Sequence, residues 1–136
     1  NLMKILMVGN HESVHGGITS VISQIRAHTW SEEKIDICFL STYKGGNNAQ
    51  KIIYFLGAVR EYKRILKQNT PDLIYMHISH HGSFDRAAVL QKLAEKHKIP
   101  TVVHLHGSEF EKYYNKFGFI IDGIVMFNKD WKDDIV

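Results

Sequence analysis

Five of the nine histidines fall in two short segments, Tyr75-Met-His-Ile-Ser-His-His-Gly-Ser83 and His104-Leu-His-Gly-Ser-Glu-Phe110. A neutral imidazole both donates and accepts hydrogen bonds and titrates near neutral pH. Such a cluster suits hydroxyl-rich ligands such as sugars and can move a proton. His104 and His106, two residues apart, point to one face of a strand. His-x-x-His-His with His-x-His could also assemble a zinc site. Only Glu109 stands beside these histidines as a carboxylate, which such sites usually include, so no metal ligand is assigned. A third segment, Asn10-His-Glu-Ser-Val-His-Gly-Gly-Ile-Thr-Ser20, carries two adjacent glycines. Gly16 and Gly17 let the backbone approach a ligand, and the amides of Gly17, Ile18 and Thr19 at a helix N-terminus would suit a diphosphate. The plainer reading is a tight turn. The segment matches neither GxGxxG nor GxxxxGK[ST], and no G-x-S-x-G elbow occurs, which removes support for ordinary dehydrogenases, P-loop enzymes and serine hydrolases.

The elements that must hold these segments alternate. Lys4 to Gly9 is a near-continuous apolar run of strand length. Ile18, Val21, Ile22 and Ile25 then recur at helical spacing, in a helix ending near His28. Ile35 to Leu40 reads as a second strand. A long helix from about Ala49 to Gln68 sets Ile52, Leu56, Val59, Tyr62 and Leu66 on one face, and Pro71-Asp72 ends it. Leu73 to Ile78 is a third strand, Ser83 an N-cap for a helix through Leu90, Leu93, Ala94 and His97, and Thr101 to Leu105 a fourth strand after Pro100. A short helix over 108–114, a fifth strand from about Gly123 to Phe127 and a last helix capped by Asn128 complete the pattern. Strand starts spaced by roughly 30 residues mark βαβ units. Runs apolar on both faces mean a sheet buried on both sides. The fold class is α/β: a doubly wound, mainly parallel, Rossmann-like sheet with helices on both faces. Ligands bind such sheets beyond the carboxyl ends of the strands, where all three polar segments fall.

Composition sets the bounds. The 136 residues, 44% hydrophobic and 23% charged, fit one globular domain. That length buries roughly two-thirds of the surface the unfolded chain exposes. The single cysteine, Cys38, sits in an apolar run and reads as a buried thiol in a reducing, cytoplasmic setting. No apolar run nears the roughly 20 residues of a membrane span. The net charge of +3 includes no basic stripe with interleaved aromatics, so nucleic acid is not an expected partner. Met3 reads as the natural start and Asn1-Leu2 as a cloning remnant, leaving 3–136 as the domain. The chain stops as its last helix begins, at Asp134-Ile-Val136, and so reads as cut from something longer.

Taken in order, the His-Gly-Gly-Ile-Thr loop, Pro-Asp-Leu-Ile-Tyr-Met-His77, Pro-Thr-Val-Val-His-Leu-His-Gly-Ser-Glu-Phe110 and Asp122-Gly-Ile-Val-Met-Phe-Asn-Lys-Asp-Trp131 carry a resemblance. The chain resembles the N-terminal, acceptor-side domain of retaining family-four glycosyltransferases of the GT-B fold. That resemblance implies transfer of a sugar from a nucleotide-sugar donor to a sugar or lipid-linked acceptor. It also implies a C-terminal donor-binding domain absent from this chain, no tightly bound cofactor, and an inactive isolated fragment. Gly16, Gly17, Ile18 and Thr19 would approach the donor diphosphate. His77 and His106 match the strand-end histidines near the transferred sugar, and His15, His80, His81, Ser108 and Glu109 are acceptor-binding candidates. Lys51, Arg60, Lys63, Arg64 and Lys67 make the helix over 49–68 basic. Its two readings are a solvated face and a peripheral contact with the inner face of a membrane. A GT-B epimerase would want acid and base carboxylates, for which Glu12 and Glu109 are the nearby candidates. A non-catalytic response-regulator type domain would want acidic residues where Asn10 and His77 stand.

Overall fold

The computed structural model describes residues 2–14, 16–78, 81–105, 120–121 and 124–127. In chain order these form β1 (Met3–Asn10), α1 (Gly17–Ala27), β2 (Ile35–Tyr43), α2 (Asn48–Gln68), β3 (Leu73–Ile78), α3 (His81–Lys96), β4 (Thr101–Leu105), β5 (Ile120–Ile121) and β6 (Ile124–Phe127). The sheet order is β2-β1-β3-β4-β6-β5, and the first four strands are parallel. The chain moves outward from β1 to β2 and then returns to lay β3 on the other side of β1. Right-handed crossovers therefore put α1 on one face and α2 with α3 on the other.

Two cores confirm that division. Leu6, Val8, Ile74, Met76, Ile78 and Val103 point to the α2–α3 face, where they pack with Tyr62, Leu66, Leu90 and Ala94. Met7 points to the opposite face and packs with Ile18 and Ile22 of α1. The apolar run of β1 is continuous because both its faces are covered: Leu6, Met7 and Val8 are all buried. Tyr62 ties α2 to α3 by donating its hydroxyl to the Leu90 carbonyl at 2.8 Å, and burial raises its pKa well above the ordinary phenol value. Asn47 caps α2 in a reciprocal box: its side chain accepts from the Gln50 amide at 2.8 Å, and the Gln50 side chain accepts from the Asn47 amide at 2.9 Å.

Several expectations need correction. The strand at 124–127 is antiparallel to β4, pairing Thr101 with Phe127 and His104 with Ile124, and β5 joins it antiparallel. An apolar run encodes a strand but not its direction, so the parallel reading extended a pattern that ends at β4. Ser83 is the third residue of α3 rather than its cap, because the helix already begins at His81. Ile52 and Leu56 do not share the buried face of α2. They are exposed, as is Ile53, while Ala58, Tyr62, Ile65 and Leu66 make the buried contacts. Cys38 is exposed, because β2 is an edge strand with a neighbour on one side only. The expected helices over 108–114 and after Asn128 lie outside the described residues.

Candidate functional site

The strand order reverses between β1 and β3, so the crevice lies where Gly9 and Asn10 meet His77 and Ile78. Gly9 is approached closely by one side chain, that of Ile22, and makes an ordinary contact with His77. A β-carbon there would stand 2.5 Å from Ile22 Cδ1 and 3.6 Å from His77 Cβ. The absent side chain lets α1 settle against the end of β1 and sets the start of that helix beside the histidine strand.

His77 lies on the α1 face of β3 and is 4% exposed. Its ring stacks on Tyr75 at 4.4 Å with an interplanar angle of 25°. Across the register His77 is opposite His104, with ring centroids 5.6 Å apart. The Tyr75 hydroxyl is 2.7 Å from His104 Nδ1. Burial raises the Tyr75 pKa and lowers that of His104, so both groups are held toward their neutral forms. When the Tyr75 hydroxyl donates to Nδ1, the His104 ring carries its own proton on Nε2 and is a donor there. The result is a compact cluster of three rings, each with its centroid 4.4–6.0 Å from the other two.

At the neighbouring strand end, the β1–β2 register slips between Gly9 and Asn10: Gly9 pairs with Ser41 and Asn10 with Tyr43. Thr42 is the extra residue, and it turns inward to become 6% exposed. Asn10, Thr42, His77 and Arg86 line a void of about 10 Å³, room for a single water. The Arg86 guanidinium lies 4.6 Å above the Tyr43 ring, and Lys51 Nζ is 5.7 Å from that ring. Burial pulls the Arg86 pKa down, opposed by Tyr43 and Asp85. Lys51 is thus drawn to the sheet edge instead of the solvent face expected of it.

On the other side of the crevice, Gly16 has φ 143° and caps α1 without a side-chain hydrogen bond; no acidic residue stands in the first turn. That φ is one that residues with a side chain rarely adopt. First-turn amides have no acceptor within their own helix, so those of Gly17, Ile18 and Thr19 face the carboxyl edge of the sheet. Ile18 is buried, and the Thr19 hydroxyl oxygen is buried with no hydrogen-bond partner among the described residues. An open groove of about 320 Å³ runs from here along α1, lined by Asn10, Glu12, Thr19, Ser23, Arg26 and Phe39.

Of the residues singled out by sequence, the structure therefore gathers His77 and the Gly16–Thr19 turn at one sheet edge, with His81 at the start of α3. His15, His80, His106, Ser108 and Glu109 lie outside the described residues. Tyr75, Thr42, Tyr43 and Arg86 were missed, and His104 was noted in its histidine segment but given no role of its own. His104 and Tyr75 carried a signal, each two residues from a named histidine and hence on its face. Thr42 and Arg86 carried none, since one depends on a register slip and the other on helix packing. Among the described residues, no group of three His, Cys, Asp or Glu could hold a metal ion.

A doubly wound sheet covered by helices on both faces defines a Rossmann-like α/β domain. The chain belongs to Glycosyltransferase Family 4, whose sequence model matches residues 20–127. It is accordingly a glycosyltransferase domain, and the match takes in both histidine segments while beginning just past Thr19. No curated protein and no solved structure matches the chain.

Proposed function

We propose that the chain is the acceptor-side domain of an enzyme that moves a sugar from a nucleotide-sugar donor to a hydroxyl of a glycan or lipid-linked sugar, with retention. The observation that carries this reading is the convergence, in a glycosyltransferase domain, of a glycine-capped helix start with no side-chain cap bond and the His77 strand end at one switch point. The bond from the anomeric carbon to the leaving diphosphate breaks as the acceptor hydroxyl attacks from the same face, and the leaving phosphate takes the hydroxyl proton. Donors already aimed at the diphosphate stabilise its growing charge without reorganising. The first-turn amides of α1 supply part of that field. His77 orients a sugar hydroxyl and forms no covalent bond to the sugar. A second domain across the cleft grips the nucleotide, so residues 3–136 alone are inactive, and no resident cofactor is needed. The exposed Cys38 thiol suits a reducing compartment and thus the cytoplasmic side of the membrane.

Kinetics of the full-length protein test this reading. His77→Ala should cut turnover by about 100-fold, whereas His77→Asn, which keeps a donor and an acceptor, should retain more. Product analysis across a panel of nucleotide sugars separates transfer from epimerisation. Unchanged turnover would take His77 out of the site. Transfer by residues 3–136 alone would refute the two-domain reading.

A further inference from the structure

α2 has an outer face of unusual order. Ile52, Ile53 and Leu56 are 60%, 69% and 61% exposed, half of the large hydrophobic residues exposed among the described ones. At 100° per residue they share one stripe of the helix with Arg60, Lys63, Arg64 and Lys67, all exposed. The stripe is therefore apolar over its first turns and cationic over its last. Its flanking carboxylate, Glu61, is paired with Arg64. The buried residues of α2, Ala58, Tyr62, Ile65 and Leu66, come from its later turns and centre on the other side of the helix, so packing does not account for the three aliphatic side chains.

We infer that this face of α2 attaches the protein to the surface of an anionic lipid bilayer, with Ile52, Ile53 and Leu56 entering the headgroup–acyl boundary and Arg60, Lys63 and Lys67 meeting anionic headgroups. An aliphatic wedge joined to cations is the chemistry of an interfacial helix. No described helix is long and apolar enough to cross a membrane. A second copy of the chain fits the face poorly. Two such stripes packed side by side and parallel set cations against cations, and packed antiparallel they set each aliphatic cluster against the partner's cations. A lipid surface satisfies both halves at once.

Topology gives the contact a direction. α2 leaves the carboxyl end of β2 and returns to the amino end of β3, so the aliphatic residues lie within about three turns of the sheet edge that holds His77. The wedge therefore brings the crevice near the bilayer, where a lipid-linked acceptor would be presented. That last step rests on the transfer reading; the attachment does not.

Vesicle co-sedimentation of the full-length protein is the test. Phosphatidylcholine vesicles are compared with vesicles carrying about 30% phosphatidylglycerol, using wild type, Ile53→Ser/Leu56→Ser and Lys63→Glu/Lys67→Glu. All four substituted side chains are exposed, and thermal melts confirm that the variants remain folded. Wild type should bind the anionic vesicles at least about tenfold more tightly than the neutral ones, and each variant should lose about tenfold or more. Raising salt from about 0.1 to about 0.5 M should weaken wild-type binding. Equal sedimentation with neutral and anionic vesicles, or full binding by Ile53→Ser/Leu56→Ser, would overturn the inference. So would a wild-type dimer in sedimentation velocity that this variant dissolves, since the face would then belong to a second copy. Transfer to a soluble acceptor, measured in parallel without vesicles, reports on the enzymatic reading separately.

Discussion

Tyr75 and His104 stand on adjacent parallel strands, and the tyrosine hydroxyl meets His104 Nδ1 at 2.7 Å while the tyrosine ring stacks on His77. One side chain thereby holds two imidazoles, by its edge and by its face. Tyr75→Phe keeps the stack and removes the bond. It should destabilise the fold by about 1 kcal/mol. Chemical denaturation of the two proteins measures this, and an unchanged midpoint would show that the bond contributes nothing net.

The same pair governs a pH dependence. Burial lowers the His104 pKa below its ordinary value of 6.5, so the folded state resists protonation where the unfolded chain accepts a proton. Stability from this source is present above the unfolded pKa and falls as pH drops from there toward the lower folded pKa. Comparing urea midpoints of wild type and His104→Gln between about pH 7.5 and about pH 5 isolates the term, because the other titrating groups are common to both. The wild type should lose stability more steeply on acidification. Parallel curves would mean that His104 titrates alike in both states.

Close approach at Gly9 predicts a paired result. Gly9→Ala sets a methyl against Ile22 Cδ1 in the α1 core and should cost about 1–3 kcal/mol. Ile22→Val deletes the atom in the way. The double variant should recover part of the loss, giving a coupling of about 0.5 kcal/mol or more in a double-mutant cycle. Strict additivity would show that the contact is not the source.

Lys98 offers a stabilising change. It has φ 56° just past α3, where the Ile99 amide bonds to the Ala94 carbonyl at 3.0 Å and the Lys98 amide to the Glu95 carbonyl at 3.0 Å. This is a Schellman end with a lysine where glycine is the usual residue. Lys98→Gly should raise stability by about 0.5–1 kcal/mol, read as a higher melting temperature. A lower one would mean that the lysine stem makes a contact worth more than the relieved backbone strain.

The parallel half of the molecule was legible in the amino-acid order. β3 and β4 fall on the residues their apolar runs marked, Leu73 to Ile78 and Thr101 to Leu105, because a strand covered on both faces leaves an unbroken apolar record. His77 and the Gly16–Thr19 turn could be named as candidates because the carboxyl ends of such strands are the ligand edge by topology alone. Direction, exposure and register were decided by tertiary contacts. The strand at Ile124 could pair either way, and only its neighbour β4 made it antiparallel. Ile52 and Leu56 fit a buried helical stripe, yet only the later turns of α2 bury theirs, leaving these two uncovered. Thr42, Tyr43 and Arg86 entered the crevice through a one-residue slip against β1 and the docking of α3, events between segments far apart in the chain. Local order determines what each segment can be, because propensity and periodicity act between near neighbours. Which side chains share the crevice and which stay exposed is settled only when distant segments meet.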